Sequence, residues 1–316
     1  MSRLSLRAIE IFIAAIEQGS VAAAAKLLKT SPSSISQQIT NLETTLGATL
    51  IDRAARPLAL TPAGHLFQRR ALTILSEATQ ARAELAAQDF SKLTRFSIAM
   101  IDDFEPDVTP ALMSQLAEDM PSAQIVLQTG ASLTNLAALE SRRADICVAA
   151  DPDTPADWLE VYPLMNEQFV LLAPKGIVTN DALTQLANLP FIRFPEGQVV
   201  GRKIEAKLAA ERLSLPHKFE LDSYQSIMAM VAKGAGWSIA PPMCYLRAQR
   251  FQGKVDMLPL PFDGLSRRIS LFARRDALDR MPRDIAARMR PLVNDMLIAQ
   301  TTKDFPWLKN GFTLLN

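Results

Sequence analysis

Between Ser31 and Asn41 the chain gathers Ser31, Ser33, Ser34, Ser36, Gln37, Thr40 and Asn41, hydroxyl and amide side chains with no charge among them. Ile35, Ile39, Leu42 and Leu46 recur through the same stretch at spacings of four, three and four, which sets one apolar stripe along a helix. At about 100° per residue, Ser33, Ser34, Gln37, Thr40 and Asn41 point away from that stripe. Side chains of this kind donate to and accept from base edges and phosphates, and Gln37 can pair with N6 and N7 of adenine. Arg53 and Arg56 follow in a short segment that suits phosphate contact or insertion into the minor groove. The chemistry on offer is recognition of DNA. An ordinary amphipathic hairpin carries the same stripe, and a solvated turn carries the same arginines, so these residues alone leave both readings open.

Catalysis has little to work with. The histidines are His65 and His217, and the sequence holds no nucleophile elbow, glycine-rich phosphate loop or metal-ligand cluster. We expect no enzyme activity, no cofactor and no metal. Cys147 and Cys244 lie far apart, without the spacing of a metal site or a disulfide framework. They read as buried thiols in a reducing compartment, with a redox sensor as the alternative.

The elements that must position the polar array are legible nearby. Gly19 ends one helical pattern, and Ser20 caps the next, which runs through Val21, Ala24, Ala25, Leu27 and Leu28. Lys29, Thr30 and Ser31 make a turn, Pro32 occupies the first position of the following helix, and Gly47 stops it. Short runs at Leu50–Arg53 and Leu58–Leu60 read as a β-hairpin, a wing whose tip presents Arg53 and Arg56. Thr61-Pro62-Ala63-Gly64 opens a long helix on which Phe67, Ala71, Ile74, Ala78, Ala81 and Leu85 form a heptad seam. A second copy is the preferred partner for that seam; the rest of the same chain is the other.

From Arg95 the pattern changes to short buried strands alternating with helices. Strands are expected at Phe96–Ile101, Gln124–Gln128, Asp145–Ala149, Phe169–Ala173, Phe191–Phe194 and Trp237–Ala240, in a mostly parallel α/β sheet. The proline-rich stretch Asp151–Pro155 suggests two subdomains. The chain has 316 residues, 48% hydrophobic and 21% charged, with a net charge of +1, so no global basic field argues for nucleic acid. The first 70 residues nevertheless hold eight Lys and Arg against four Asp and Glu, a basic head on a mildly acidic body. No run approaches the ~20 apolar residues of a membrane span. A cytoplasmic protein is expected.

In this order the pieces resemble the LysR-type transcriptional regulators over essentially the whole chain. The likeness rests on Gly19-Ser20, Ala24-Ala25, Leu28, Ser31, Ile35-Ser36, Gln38-Ile39, Leu42-Glu43, Leu46-Gly47, Leu50, Arg53 and Leu60-Thr61-Pro62-Ala63-Gly64. Farther on it rests on Gly130-Ala131-Ser132, Ala144-Asp145-Ile146 and Val231 to Trp237. The resemblance implies an α/β protein with an all-α-rich N-terminal winged helix-turn-helix, a linker helix and a two-subdomain effector domain of periplasmic-binding-protein type II architecture. It divides the chain into a DNA-binding domain at 1–61, a linker helix at 62–90, an effector domain at 91–300 and a C-terminal tail at 301–316. Subdomain I takes 91–163 and 268–300, and subdomain II takes 164–267.

The function implied is sequence-specific DNA binding modulated by a small-molecule effector, in a homodimer built on the linker helix and a tetramer beyond it. DNA would meet Ser20, Ser31, Ser33, Ser34, Ser36, Gln37, Thr40, Asn41, Arg53 and Arg56. The effector would meet Ile101, Asp102, Asp103, Thr129, Gly130 and Ala131 on one wall, and Val199, Val200, Gly201, Arg202 and Tyr224 on the other.

Two departures from the family pattern matter. The recognition helix has Gln37 where relatives often carry arginine, so it is uncharged. The effector wall has Asp102 and Asp103 near the position where relatives usually present serine or threonine to a carboxylate. Two carboxylates would favour a cationic effector, with Arg202 as a compensating cation; the plainer reading is that one Asp caps the helix and the other is solvated. Ser223, Tyr224 and Gln225 open a later helix, with capping by Asp222 or Ser223 as the plain alternative. The rival functions are an enzyme on the α/β body, a solute-binding transport protein, and a DNA-binding regulator whose cleft binds nothing.

Overall fold

The computed structural model describes residues 4–55, 57–86 and 93–315, with the backbone alone at 76, 79–80 and 82–86. Arg56, expected at the wing tip, lies outside the described residues. The chain forms two compact units, the first of Met1–Leu85 with Ser141–Arg143, and the second of Ala86–Glu140 with Ala144–Asn316.

The first unit is helical with a small wing: α1 (Leu6–Glu17), α2 (Val21–Leu27), α3 (Pro32–Leu46), β1 (Ile51–Asp52), β2 (Ala59–Leu60) and α4 (Pro62–Ala86). Ser5, Ser20 and Ser31 cap the first three helices, their hydroxyls accepting from the N–H groups of Ala8, Ala23 and Ser34. Pro32 sits in the first turn of α3, and Gly47 closes the helix at φ 64°, a left-handed conformation that costs glycine little. Phe12, Ile35, Ile39, Leu42 and Leu50 fill the core between α1, α3 and the wing. The wing is one antiparallel pair, Ile51 opposite Leu60 and Asp52 opposite Ala59. The seam on α4 divides. Ala71 is buried and Phe67 and Ile74 pack half-buried on the head's own core, with the Phe67 ring edge-on to Phe12 at 5.3 Å. Ala81 is exposed, and the side chain of Leu85 lies outside the described residues.

The second unit begins with β3 (Arg95–Met100), α5 (Val108–Asp119), β4 (Gln124–Thr129), α6 (Ser132–Glu140), β5 (Ile146–Ala150) and β6 (Leu159–Gln168). It continues with β7 (Val170–Pro174), α7 (Ala182–Leu186), β8 (Phe191–Arg193), α8 (Val199–Ala210), β9 (His217–Glu220), α9 (Tyr224–Ala232), β10 (Ser238–Ala240), α10 (Pro242–Arg247), α11 (Gln249–Gln252) and β11 (Val255–Pro259). It ends with β12 (Ser266–Arg274), α12 (Met281–Val293), α13 (Ala299–Asp304) and β13 (Phe312–Leu314).

These strands build a six-stranded sheet in the order β13-β6-β12-β5-β3-β4 and a three-stranded sheet in the order β10-β7-β11, with β8 and β9 paired separately. The chain passes from the larger sheet to the smaller at Phe169 and returns at Leu265, and the Phe169 N–H donates to the Leu265 carbonyl at 3.0 Å.

A mostly parallel sheet is not what forms. β3 pairs parallel with β4 and β5, but β12 runs antiparallel to both β5 and β6, and the smaller sheet is antiparallel throughout. β6 carries Pro163, which cannot donate to a ladder, and its register with β12 shifts between Ile269 and Ser270. That interruption hides the strand from a period-two reading. The segment 301–316 is likewise more than a tail: β13 adds to the edge of β6, placing Phe312 opposite Glu167, and the Phe312 ring is fully buried. No helix among the described residues is long and apolar enough to cross a membrane.

Candidate functional site

On the head, α3 presents Ser33, Gln37, Thr40 and Asn41 as exposed side chains, with Ser34 and Ser36 half-buried. Local hydrogen bonds order this face. Ser31 shares a 2.9 Å hydrogen bond with Ser33, Gln37 Nε2 donates to Asn41 Oδ1 at 3.0 Å, and the Thr40 hydroxyl donates to the Ser36 carbonyl. Gln37 thus uses one of its two N–H donors and keeps acceptor capacity on its oxygen. Ser20, Ser36 and Arg53 line a groove of about 310 Å³ between α2, α3 and the wing.

Arg53 does not stand at the wing tip. Its Nη2 donates to Thr40 Oγ1 at 2.8 Å and to Glu43 Oε2 at 2.9 Å, which fixes the guanidinium along the flank of α3 with half of its side chain exposed. Glu43 in turn accepts from the N–H groups of Leu50 and Ile51, tying the wing to the recognition helix.

In the second unit a cavity of about 600 Å³ opens between the two sheets' lobes. One wall is Ile101, Asp102 and Asp103 after β3, joined by Gly130, Ala131 and the first turn of α6. The other is Gly197 and Gln198 with Val199 and Val200 at the start of α8, and a third face is Asp222 to Gln225 at the start of α9. The amide of Asn135 donates to the carbonyls of Gly130 and Val148, and Ser132 Oγ accepts from Ala150 N–H, so α6 is held to β5 with its N-terminus toward the cavity.

Eight of the expected effector residues therefore meet, and three do not. Thr129 is exposed at the end of β4 and Arg202 is exposed on α8, neither lining the cavity. Gly201 is buried because α8 crosses close over the preceding loop; a Cβ there would stand 2.1 Å from the Pro195 carbonyl oxygen.

The compensating cation is Arg267, on β12 and not on α8. It is buried directly opposite Glu167 of β6, with Nε 2.6 Å from Glu167 Oε1. Its Nη2 lies 3.2 Å from Asp103 Oδ2 and 3.4 Å from the Tyr224 hydroxyl. The plainer reading of the aspartates holds for the solvated residue, Asp102, and fails for the cap. Asp103 is buried in this ion pair, neither residue caps a helix, and Asp102 is exposed at the cavity wall. Arg247 completes the charged lining and is held by Glu105 at 3.2 Å. Ser223 does cap α9, accepting from Ser226 N–H. No local signal could have found Arg267, because its carboxylate partners stand 100 or more residues away in sequence, Glu167 meeting it through the β6–β12 register and Asp103 from the loop after β3.

Burial first and Asp103 second push the Asp102 carboxyl above its usual range. Burial does the same to Glu167, to about 7, with Asp103 adding and Arg267 opposing. Burial alone would lower Arg267, but Glu167, Tyr224 and Asp103 outweigh it and keep the guanidinium charged. The Tyr224 hydroxyl is pushed well up by burial, so it stays protonated. Burial also raises the thiols of Cys147 and Cys244, which leaves neither as a ready thiolate.

A winged helix-turn-helix head and an α/β unit with a polar cleft, in one chain, define a ligand-responsive DNA-binding regulator. Residues 6–65 match the model of the bacterial regulatory helix-turn-helix protein, lysR family, and residues 92–291 match the LysR substrate binding domain. The chain belongs to the LysR family of transcriptional regulators. It is 27% identical to the HTH-type regulator YeiE of Escherichia coli K12 over 74% of this chain and 80% of that protein. It is also 27% identical to the activator IlvY of Salmonella typhimurium, over 75% of this chain and 82% of that one. Among solved structures it is similar to full-length CbnR complexed with its target DNA, with a TM-score of 0.63, 22% identity and coverage of 92% and 99% of the two chains. A full-length OxyR variant from Pseudomonas aeruginosa gives a TM-score of 0.65 at 19% identity, over 92% and 95% of the chains. The protein is thus a DNA-binding transcriptional regulator with a small-molecule effector domain.

Proposed function

We propose that α3 reads base edges in the major groove through Ser33, Ser34 and Gln37, with Asn41 beside Gln37. Arg53 and Arg56 then hold phosphates, and Ser20, Ser31, Ser36 and Thr40 order the surface. The observation that carries this reading is the exposed, uncharged face of α3 flanked by an arginine that Thr40 and Glu43 orient. CbnR, similar in fold, is seen with its target DNA, which supports the same use of this head.

Residues 1–61 act as the reading head, 62–90 as linker and dimer helix, and 91–300 as effector domain, with 301–316 completing its sheet. The dimer forms through α4, where Leu66 and Leu72 remain 58% and 37% exposed. Effector binding between the lobes shifts the spacing of paired heads, a coupling between two sites. Half-sites then lie whole helical turns apart, ~10 bp each. The chain catalyses no reaction and works in the cytoplasm beside the DNA it reads.

Footprinting the full-length protein on the DNA flanking its own gene tests the proposal. Paired protections on one face of the duplex are expected. Uniform, salt-sensitive binding with no protected half-sites would overturn it.

A further inference from the structure

The cleft is built for positive charge. Its lining places Asp102, Asp103, Glu105 and Asp222 against only Arg247 and Arg267. Both arginines are already neutralised, Arg247 by Glu105 and Arg267 by Asp103 together with Glu167 from beneath. Among the described residues, Asp102 and Asp222 have no ion-pair partner. The buried Asp103 keeps one carboxylate oxygen, Oδ1, without any hydrogen-bond partner. A buried carboxylate oxygen of this kind is costly unless a donor reaches it. Burial first and repulsion from Asp103 second raise the Asp102 carboxyl, with Arg247 opposing, and an incoming cation would relieve the repulsion.

Resting on the reading of this cavity as the effector cleft, we propose that the effector carries an ammonium group, seated against Asp102 and Asp103. Ammonium supplies three donors in a compact charge, which suits one exposed and one buried carboxylate set side by side. The N-terminus of α8 lies on the cavity wall opposite the aspartates. Its positive dipole end accepts the other end of the molecule, either an uncharged chain or a carboxylate. The ammonium therefore belongs either to a simple amine or to an amino acid.

Calorimetric and thermal-shift titrations of the full-length protein with matched α,ω-diamines, ω-amino acids and dicarboxylates of three to six carbons test this. At least one aminated probe should bind and raise the melting temperature, with dicarboxylates inert. Asp102→Asn, an exposed position that should not disturb folding, should weaken that probe roughly tenfold or more, the loss of one charge-assisted contact. Preference for the diamines assigns a simple amine; preference for the amino acids assigns a zwitterion.

The proposal is overturned if no aminated probe binds, if dicarboxylates bind as well, or if Asp102→Asn leaves the aminated probe unaffected. Gly197→Trp separates this from failure of the underlying reading. Gly197 lines the cavity, and a Cβ there meets nothing within 4 Å, so the ring fills the cleft without a backbone clash. Binding that survives Gly197→Trp places the effector elsewhere. Dicarboxylate binding lost in Gly197→Trp but kept in Asp102→Asn leaves the cleft in place and removes only the ammonium.

Discussion

Gln37 and Arg53 divide recognition between base and backbone. Gln37 is exposed on the outward face of α3, and its pairing with Asn41 pre-orders the amide. Gln37→Ala should relax base preference at one position per half-site, a discrimination of ~1–3 kcal/mol, read by binding titrations against single-base operator variants. An unchanged preference would reject that role. Arg53→Ala should instead weaken binding to all sequences and flatten its salt dependence. Its contact with Glu43 is half exposed, so the stability lost with it is small. Gly64 is a residue whose reason appears only in three dimensions. A Cβ there would stand 2.0 Å from the Leu50 carbonyl oxygen, so Gly64→Ala should destabilise the head by about 1–3 kcal/mol, measured by chemical denaturation.

Among the elements, the head helices were legible because their signals are local: Ser20 and Ser31 as caps, Pro32 and Gly47 as start and stop, and a stripe of period 3.6. Ser31→Ala should cost α3 ~1 kcal/mol and lower the melting temperature of the head. The long helix α4 was legible as a helix but not in its partner. Phe67, Ala71 and Ile74 turn inward to the head, while Leu66 and Leu72 keep exposed apolar surface. Leu72→Glu should therefore shift the mass measured by light scattering toward the monomer, and an unchanged mass would place the dimer contact elsewhere. Strands β6, β12 and β13 escaped because their stabilising partners are remote, and Pro163 breaks the alternation that would have marked β6.

At the scale of the molecule, the Asp103–Arg267–Glu167 triad sits on the larger sheet next to the point where the chain crosses to the smaller one, and Arg267 reaches the Tyr224 hydroxyl of the other lobe. Removing Arg267 leaves two buried carboxylates uncompensated, so Arg267→Ala should destabilise the effector domain by ~3–5 kcal/mol. Glu167 sets a pH dependence of definite sign. Its pKa is raised by burial from the ordinary 4.5 to about 7, so its contribution is fully present below about 4.5 and lost as the pH rises through about 7. Denaturant melts across that window should show the parent losing stability relative to Glu167→Gln; parallel curves would exclude Glu167 as the cause.

The sequence by itself determined the reading head, its cap and stop residues, the order of units and the acidic pair at Asp102 and Asp103. Each of these is a signal carried within a few residues, by spacing, side-chain type or turn chemistry. Only the tertiary structure decided which cation meets Asp103, replacing Arg202 with Arg267, and removed Thr129 and Gly201 from the cleft. It also turned Arg53 back onto α3 and closed the sheet with the chain's last strand. These depend on strand register, side-chain contacts and close backbone approach between segments that only the fold brings together, where burial and Coulomb attraction act through space and leave no local pattern.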